Sequence, residues 1–441
     1  MNHVTVSAAI LLGLCRCLTL QSSVNAADPS VKPLFREFMG LNVHTVQFKP
    51  ELYKPIAKHV RDYHPFNWDG GDETDYYPQF PFARNRVDWN AVYGSWKQAG
   101  YVTHVSVMFD DTPPEKWKNL PREARAYGFQ FARYFGPSGK RLVESVEIGN
   151  EPGKYDDEAY RTLLQNVAEG IRKADPRLTI STCATFDRPS GDYHKSLSTL
   201  RGSESLYDVI SVHSYAFVEG YPTWRRSFPE DPAVDFLKDI QKVIAWRNAN
   251  AAGKPVWLTE FGWDAPTQPQ ATEGTFKDWV GVTDVQQAQY LVRALLVLSE
   301  LDLERAYIYW FNDADQASVH ASSGLTRNFE PKPSFHAVAH LFSTLGDYRF
   351  SRALRKEAGE AFVYEFTHET EPKKRVWAVW SPTGAERETT VTVDIAAGMI
   401  QKAERMPLAA GAAENVAWKS ISATSVAVPA SESPVFLWIE D

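Results

Sequence analysis

Two short segments place carboxylates where apolar runs end. Val146-Glu147-Ile148-Gly149-Asn150-Glu151-Pro152 closes one run with Asn150 and Glu151, and Trp257-Leu258-Thr259-Glu260-Phe261-Gly262-Trp263 closes another with Glu260. Two carboxyl groups flanking an acetal carbon can break a glycosidic bond. When they lie about 5–5.5 Å apart, one attacks the carbon directly and the configuration is retained. The other must carry a proton near neutral pH, so burial or a neighbouring negative charge has to raise its pKa. Pro152 ends the strand after Glu151 and fixes the exit of the loop. The competing reading for either Glu is an N-cap or loop anchor.

Such a pair works only if the fold brings it together. Short apolar runs at Phe38–Thr45, His59–Tyr63, Val102–Phe109, Leu142–Gly149, Thr179–Phe186, Val209–Ala216, Val256–Gly262 and Ala306–Phe311 read as strands. Helical patterns alternate with them at Pro114–Tyr134, Glu158–Ala174, Val234–Asn250, Val285–Leu301 and Pro333–Leu345. In the second of these Tyr160, Leu163, Leu164, Val167 and Ile171 fall on one face. Eight such units predict an α/β fold, a (β/α)8 TIM barrel over residues 28–345, whose strand C-termini converge on one face. Glu151 then stands at the end of the fourth strand and Glu260 near the end of the seventh. Glu147 shares the inward side one layer deeper, as an ion-paired interior residue. Cys183, within a strand, reads as a small buried apolar residue.

After Gly346 the pattern changes to Ala361–Thr367, Arg375–Trp380, Thr389–Val393 and Val435–Ile439, with a turn at Ser381-Pro382-Thr383-Gly384. Residues 346–441 are therefore expected to form a small antiparallel β-sandwich, with 28–35 available as an added edge strand. Ala409–Ala413 reads as a loop. Asp69-Gly70-Gly71-Asp72-Glu73 reads as a solvated acidic loop; its spacing matches no EF-hand.

At the two carboxylate segments the chain resembles clan A, the large clan of retaining (β/α)8 glycosidases. The resemblance implies that Glu151 is the acid/base, Glu260 the nucleophile, and Asn150 a ligand of the sugar 2-hydroxyl. Ser211-Val212-His213-Ser214-Tyr215 is similar to the sixth-strand motif, which makes His213 and Tyr215 candidates for contact with the nucleophile. Tyr309-Trp310-Phe311 is similar to the eighth-strand end, where Trp310 would floor the subsite of the scissile sugar. Arg61 resembles the second-strand Arg that supports the nucleophile. Ser323-Gly324-Leu325 with Lys332-Pro333-Ser334 is similar to the family containing β-xylosidases and α-iduronidase; cellulase-like families share the two Glu motifs. Gly149 departs from the aromatic common before Asn-Glu-Pro, and Met108-Phe109-Asp110-Asp111-Thr112-Pro113 matches no substrate motif of the clan.

Composition narrows the field further. The net charge is −8 with no Lys/Arg run, which argues against a nucleic-acid partner. Aromatic residues make up 13% of the chain, including 14 Trp, enough for a large core with some left to face sugar rings. There is no GxGxxG after the first strand, no Walker loop, no GxSxG and no HExxH. Paired CxxC and clustered His are missing too, so no metal and no cofactor are expected. The expected partner is a polysaccharide or oligosaccharide substrate, with no membrane span. Residues 1–27 carry an apolar stretch, Val4–Leu14, and a small-residue site at Val24-Asn25-Ala26 before Ala27, the pattern of a secretory signal peptide. That reading predicts a secreted or periplasmic enzyme cleaving β-glycosidic bonds by double displacement. The alternatives are a transglycosylase using the same residues and a barrel that binds carbohydrate without cleaving it.

Overall fold

The computed structural model describes residues 31–440 other than 72, 76 and 77, so the expected signal peptide lies outside the described residues. Eight parallel strands form the barrel: β1 Met39–Val43, β2 His59–Pro65, β3 Val102–Met108, β4 Ser145–Ile148, β5 Thr179–Phe186, β6 Val209–His213, β7 Val256–Phe261 and β8 Arg305–Ile308. Each pairs with the next, and β1–β8 pairing closes the ring. Their burial is nearly continuous, as strands covered on both faces require.

Among the described residues six helices of ten or more residues surround them: α1 Trp89–Gln98, α2 Leu120–Phe135, α3 Asp157–Ala174, α4 Phe236–Asn250, α5 Asp284–Glu300 and α6 Pro333–Leu345. Their ends follow local chemistry. Asp156 caps α3 by accepting from the Ala159 N–H, and Thr283 with Gln286 closes a capping box on α5. The expected α3 face of Tyr160, Leu163, Leu164, Val167 and Ile171 is buried. A Cβ at Gly128 of α2 would stand 2.2 Å from the Val167 carbonyl oxygen of α3, so this crossing needs glycine. The β5–β6 connection has a single 3-10 turn, Leu197–Leu200, as its helical part, and Lys195–Ser196 before it pairs with the end of β5. Helix α1 was not among the expected helices: Gly94 in its middle weakens the propensity, although Trp89, Tyr93 and Trp96 share its buried face.

The C-terminal region is two antiparallel sheets built from β9 Tyr348–Glu357, β10 Ala361–His368, β11 Lys374–Trp380, β12 Thr389–Val393, β13 Ile400–Arg405, β14 Lys419–Ser422, β15 Ser425–Ala430 and β16 Val435–Glu440. One sheet runs β9-β10-β11-β16-β13 and the other β12-β15-β14. Of the expected added edge strand, the described residues show one antiparallel bridge, Leu34 to Arg349, after which Phe35–Phe38 turns into a helix. A buried brace joins sandwich to barrel. Arg293 of α5 is fully buried, pairs with Glu230 at 2.5 Å and donates to the Thr383 carbonyl at 2.8 Å, while Trp380 Nε1 donates to the same Glu230 at 2.6 Å.

At the N-terminal end of the barrel a one-way chain of hydrogen bonds crosses three strands. Ser145 Oγ donates to His104 Nδ1 at 2.6 Å, His104 Nε2 to His59 Nδ1 at 3.0 Å, and His59 Nε2 to Glu37 at 2.8 Å. Burial keeps both rings neutral, and because the carboxylate can only accept, the tautomer of each ring is then fixed in turn. Burial pushes His59 down to about 4 from the usual 6.5, against the opposing bond to Glu37. The unfolded chain therefore binds the extra proton first as pH falls. Stability is full above about pH 6.5 and is lost toward pH 4, by on the order of 2 kcal/mol at pH 5 from His59 alone. Urea titrations at pH 7 and pH 5 should show a steeper loss for the native chain than for His59→Gln. Equal losses would refute the buried neutral pair.

Candidate active site

The sequence folds so that β2, β4, β6 and β7 each deliver a polar side chain to the same end of the barrel. Gly149 has φ of +86°, a conformation open to glycine at little cost, and turns the chain between β4 and Asn150-Glu151. This accounts for glycine at the position where the clan often carries an aromatic residue.

Arg61 of β2 lies at the centre and is buried. Its guanidinium donates to Glu147 at 2.5 Å, Asn42 Oδ1 at 2.8 Å, Asn150 Oδ1 at 2.8 Å and Glu260 Oε1 at 3.1 Å. Glu147, one layer deeper as expected, also accepts from Ser106 and Ser211. Because guanidinium offers only donors, the atom of Asn150 facing it must be the carbonyl oxygen, and its NH2 group is turned away as a donor.

Glu260 accepts three more contacts. Tyr63 donates to Oε1 at 2.6 Å, Tyr215 donates to Oε2 at 2.9 Å, and His213 Nδ1 lies 3.5 Å from Oε2. The same His213 nitrogen is 2.9 Å from Glu151 Oε1. One oxygen from each Glu and a His213 nitrogen all fall within 4.8 Å of one another. Tyr215 is in turn held by Arg226, whose guanidinium sits 4.6 Å from the ring centroid and pairs with buried Asp264 at 3.0 Å. Trp310 reaches the cluster through His44, edge-on at 4.4 Å, which stacks on Tyr63 at 5.2 Å. Trp310 is half-buried and its Nε1 has no hydrogen-bond partner among the described residues.

The two carboxyl groups occupy unlike environments. Burial pushes Glu151 up; His213 opposes this and the charge of Glu260 adds to it, leaving it above the usual range. Burial also pushes Glu260 up, but His213, the Arg61 charge and the Tyr63 hydrogen bond outweigh it and hold it below the usual range. His213 is disfavoured as a cation by burial, yet the charges of Glu260 and Glu151 bring it above its usual value. The site thus sets a carboxyl group that holds its proton more tightly than usual beside one that gives it up more readily.

Structure therefore gathers Glu151, Glu260, Asn150, His213, Tyr215 and Arg61 directly, and Trp310 at one remove. Tyr63, Asn42 and Arg226 were not singled out in the sequence. Tyr63 was within reach of strand alternation, being two residues beyond Arg61 on β2. Trp263 is core, with Nε1 donating to the Ser227 carbonyl. Asp69 corrects the solvated-loop expectation: it is buried and accepts from Trp89 Nε1, Tyr127 Oη and His64. Glu151, His213 and Glu260 are the one set with metal-ligand spacing among the described residues. The guanidinium against Glu260 would repel a dication, and the Tyr donors already take up its lone pairs.

No family model matches the sequence, and no curated protein does. Solved structures define the class of fold as the barrel and sandwich of glycoside hydrolases. Among them a family 39 glycoside hydrolase from the gut symbiont Bacteroides cellulosilyticus superposes with a TM-score of 0.69 at 18% identity, covering 93% of this chain and 81% of that one. A family 51 arabinofuranosidase from Xanthomonas axonopodis pv. citri gives 0.61 at 14%, with coverages of 93% and 98%. A family 30 endoxylanase from Clostridium papyrosolvens gives 0.55 at 13%, with 93% and 98%. At these identities the likeness is one of fold.

Removing Arg61 would leave Glu147 and Glu260 buried without their counter-charge. Arg61→Met is expected to lower unfolding stability by about 3–5 kcal/mol, and adding Glu147→Leu should recover part of it. Chemical denaturation checks this, and a loss under about 1 kcal/mol would contradict the central role of the guanidinium.

Proposed function

We propose that the protein is a retaining glycoside hydrolase, with Glu260 as nucleophile and Glu151 as acid/base. The observation that carries this is the pair of carboxyl groups with oxygens within 4.8 Å, one raised and one lowered in pKa. Retaining enzymes hold their carboxyls about 5–5.5 Å apart, whereas inverting ones leave about 6.5–9.5 Å for a water.

In the first step a Glu260 oxygen forms a bond to the anomeric carbon while the glycosidic C–O bond breaks. The Glu151 proton goes to the departing oxygen. In the second, Glu151 takes a proton from water, the water oxygen bonds to the anomeric carbon, and Glu260 is released as carboxylate. Arg61, Tyr63 and Tyr215 fix the attacking oxygens, and the outward NH2 of Asn150 is placed to donate to a sugar hydroxyl. Trp310 supplies an apolar face for the ring. The neighbours include an arabinofuranosidase and xylanases, so the expected substrates are plant or microbial oligosaccharides and polysaccharides. Export of the chain rests on the signal-peptide pattern of residues 1–27.

Native protein should release sugar from a member of a panel of β-linked polysaccharides, aryl β-glycosides and aryl α-arabinofuranosides. Glu260→Ala should lose at least about a thousandfold of that turnover, with azide restoring part of it as a product of inverted configuration. Turnover unchanged in both Glu260→Ala and Glu151→Ala would defeat the assignment. Transfer to sugar acceptors in place of water would identify a transglycosylase, and binding without product a silent barrel.

The pH profile of kcat/KM should be bell-shaped, with Glu260 setting the acid limb and Glu151 the basic limb. Tyr63→Phe removes a donor that favours ionised Glu260, so its acid limb should move to higher pH and kcat/KM should fall about 10–100-fold. An unmoved acid limb would show that Tyr63 does not act on Glu260.

A further inference from the structure

The third-strand segment that matched no substrate motif ends beside the acid/base. Val107 of β3 pairs with Ile148 of β4, and three residues further along each chain stand Asp110 and Glu151. The Gly149 N–H donates to the Val107 carbonyl at 3.0 Å, and Lys154 Nζ donates to the Asp110 carbonyl at 2.8 Å, which ties the two strand exits together.

The carboxyl group of Asp110 is unusual in this molecule. The buried acids Glu147, Asp69 and Asp264 each accept from several side chains or pair with a guanidinium. Its neighbour Asp111 is exposed and accepts from Asn67 at 3.2 Å. Asp110 is half-buried, and among the described residues no other side chain donates to it. Burial pushes it up to about 6; its own N–H opposes this, the charges of Glu151 and Asp111 add to it, and Lys154 lowers it. A half-buried carboxylate beside the acid/base that no side chain donates to has its oxygens free to accept from a ligand.

Resting on the glycosidase reading, we propose that Asp110 is a specificity residue that touches substrate. Its carboxylate accepts hydrogen bonds from hydroxyl groups of the sugar bound against Glu151 and selects neutral sugars over uronic acids. Sugar hydroxyls are strong donors and a carboxylate can take two from adjacent carbons. A uronate in the same place would meet the charge of Asp110, and like charges disfavour binding.

The test uses the full chain, with Asp110→Ala and Asp110→Asn, on the aryl β-glycoside or aryl β-oligosaccharide that native protein cleaves. Each single-deoxy analogue of that substrate is assayed beside it. Native protein should lose about 10–100-fold in kcat/KM when the recognised hydroxyl is removed. Asp110→Ala should lose a similar factor on the parent and nothing further on that one analogue, a non-additivity that a merely structural residue would not produce. Asp110→Asn, closest in shape, should also narrow the gap between the neutral glycoside and its uronide. Thermal melts within a few degrees of native for the Asn variant exclude a folding defect. Equal penalties for every deoxy analogue in native and variant proteins would overturn the hydroxyl contact, and an unchanged uronide gap would overturn the charge selection. Both results require native turnover, so they leave the glycosidase reading standing; a native protein with no turnover on any glycoside would remove both.

Discussion

The barrel is organised around one buried cation. Arg61 must have its charge matched inside the strand ring, and the partners that do so come from β1, β4 and β7: Asn42, Glu147, Asn150 and Glu260. A guanidinium suits this place because its planar fork holds several acceptors in fixed directions and stays charged. Breaking such a pair costs far more than forming it gains, so the arrangement acts less as a source of stability than as a constraint on geometry. It fixes the β4 end against the β7 end. The distance between Glu151 and Glu260 follows from that.

Electrostatics then divides the labour between two chemically identical groups. Glu260 lies against Arg61 and two phenol donors, while Glu151 is half-buried with His213 as its close partner. His213 bridges the two, its Nδ1 2.9 Å from Glu151 Oε1 and 3.5 Å from Glu260 Oε2. Around them, Arg226 with Asp264 backs Tyr215, and His44, with Trp310 edge-on behind it, stacks on Tyr63. Preorganisation of this kind lets the charge on Glu260 be held before any substrate arrives.

The sequence made the barrel readable because parallel strands covered on both sides appear as unbroken apolar runs. All eight were placed within a few residues, and the Glu motifs fell at their ends. What was not legible depends on exposure and on distance. Strand β9, Tyr348–Glu357, carries mostly exposed or half-exposed side chains, so no apolar run marks it. Strand β13 alternates weakly, and in β15, whose burial does alternate, Pro429 and two alanines blur the sequence pattern. Asp69 looked solvated because it stands among acids and glycines, yet its donors come from α1, α2 and β2 and could be known only once the chain was folded. Tyr63 and Asn42 are of the same kind: ordinary residues in a strand, given meaning by the guanidinium beside them.

The account turns on a covalent bond between Glu260 and sugar, and that bond can be weighed. Activated 2-deoxy-2-fluoro glycosides of the sugar that the protein releases should inactivate it by forming a stable glycosyl-enzyme. Intact-mass spectrometry should then show one added fluorosugar per chain, and peptide mapping should place it on Glu260. Turnover of the parent glycoside with no adduct and with inverted product, or an adduct on another residue, would contradict the account.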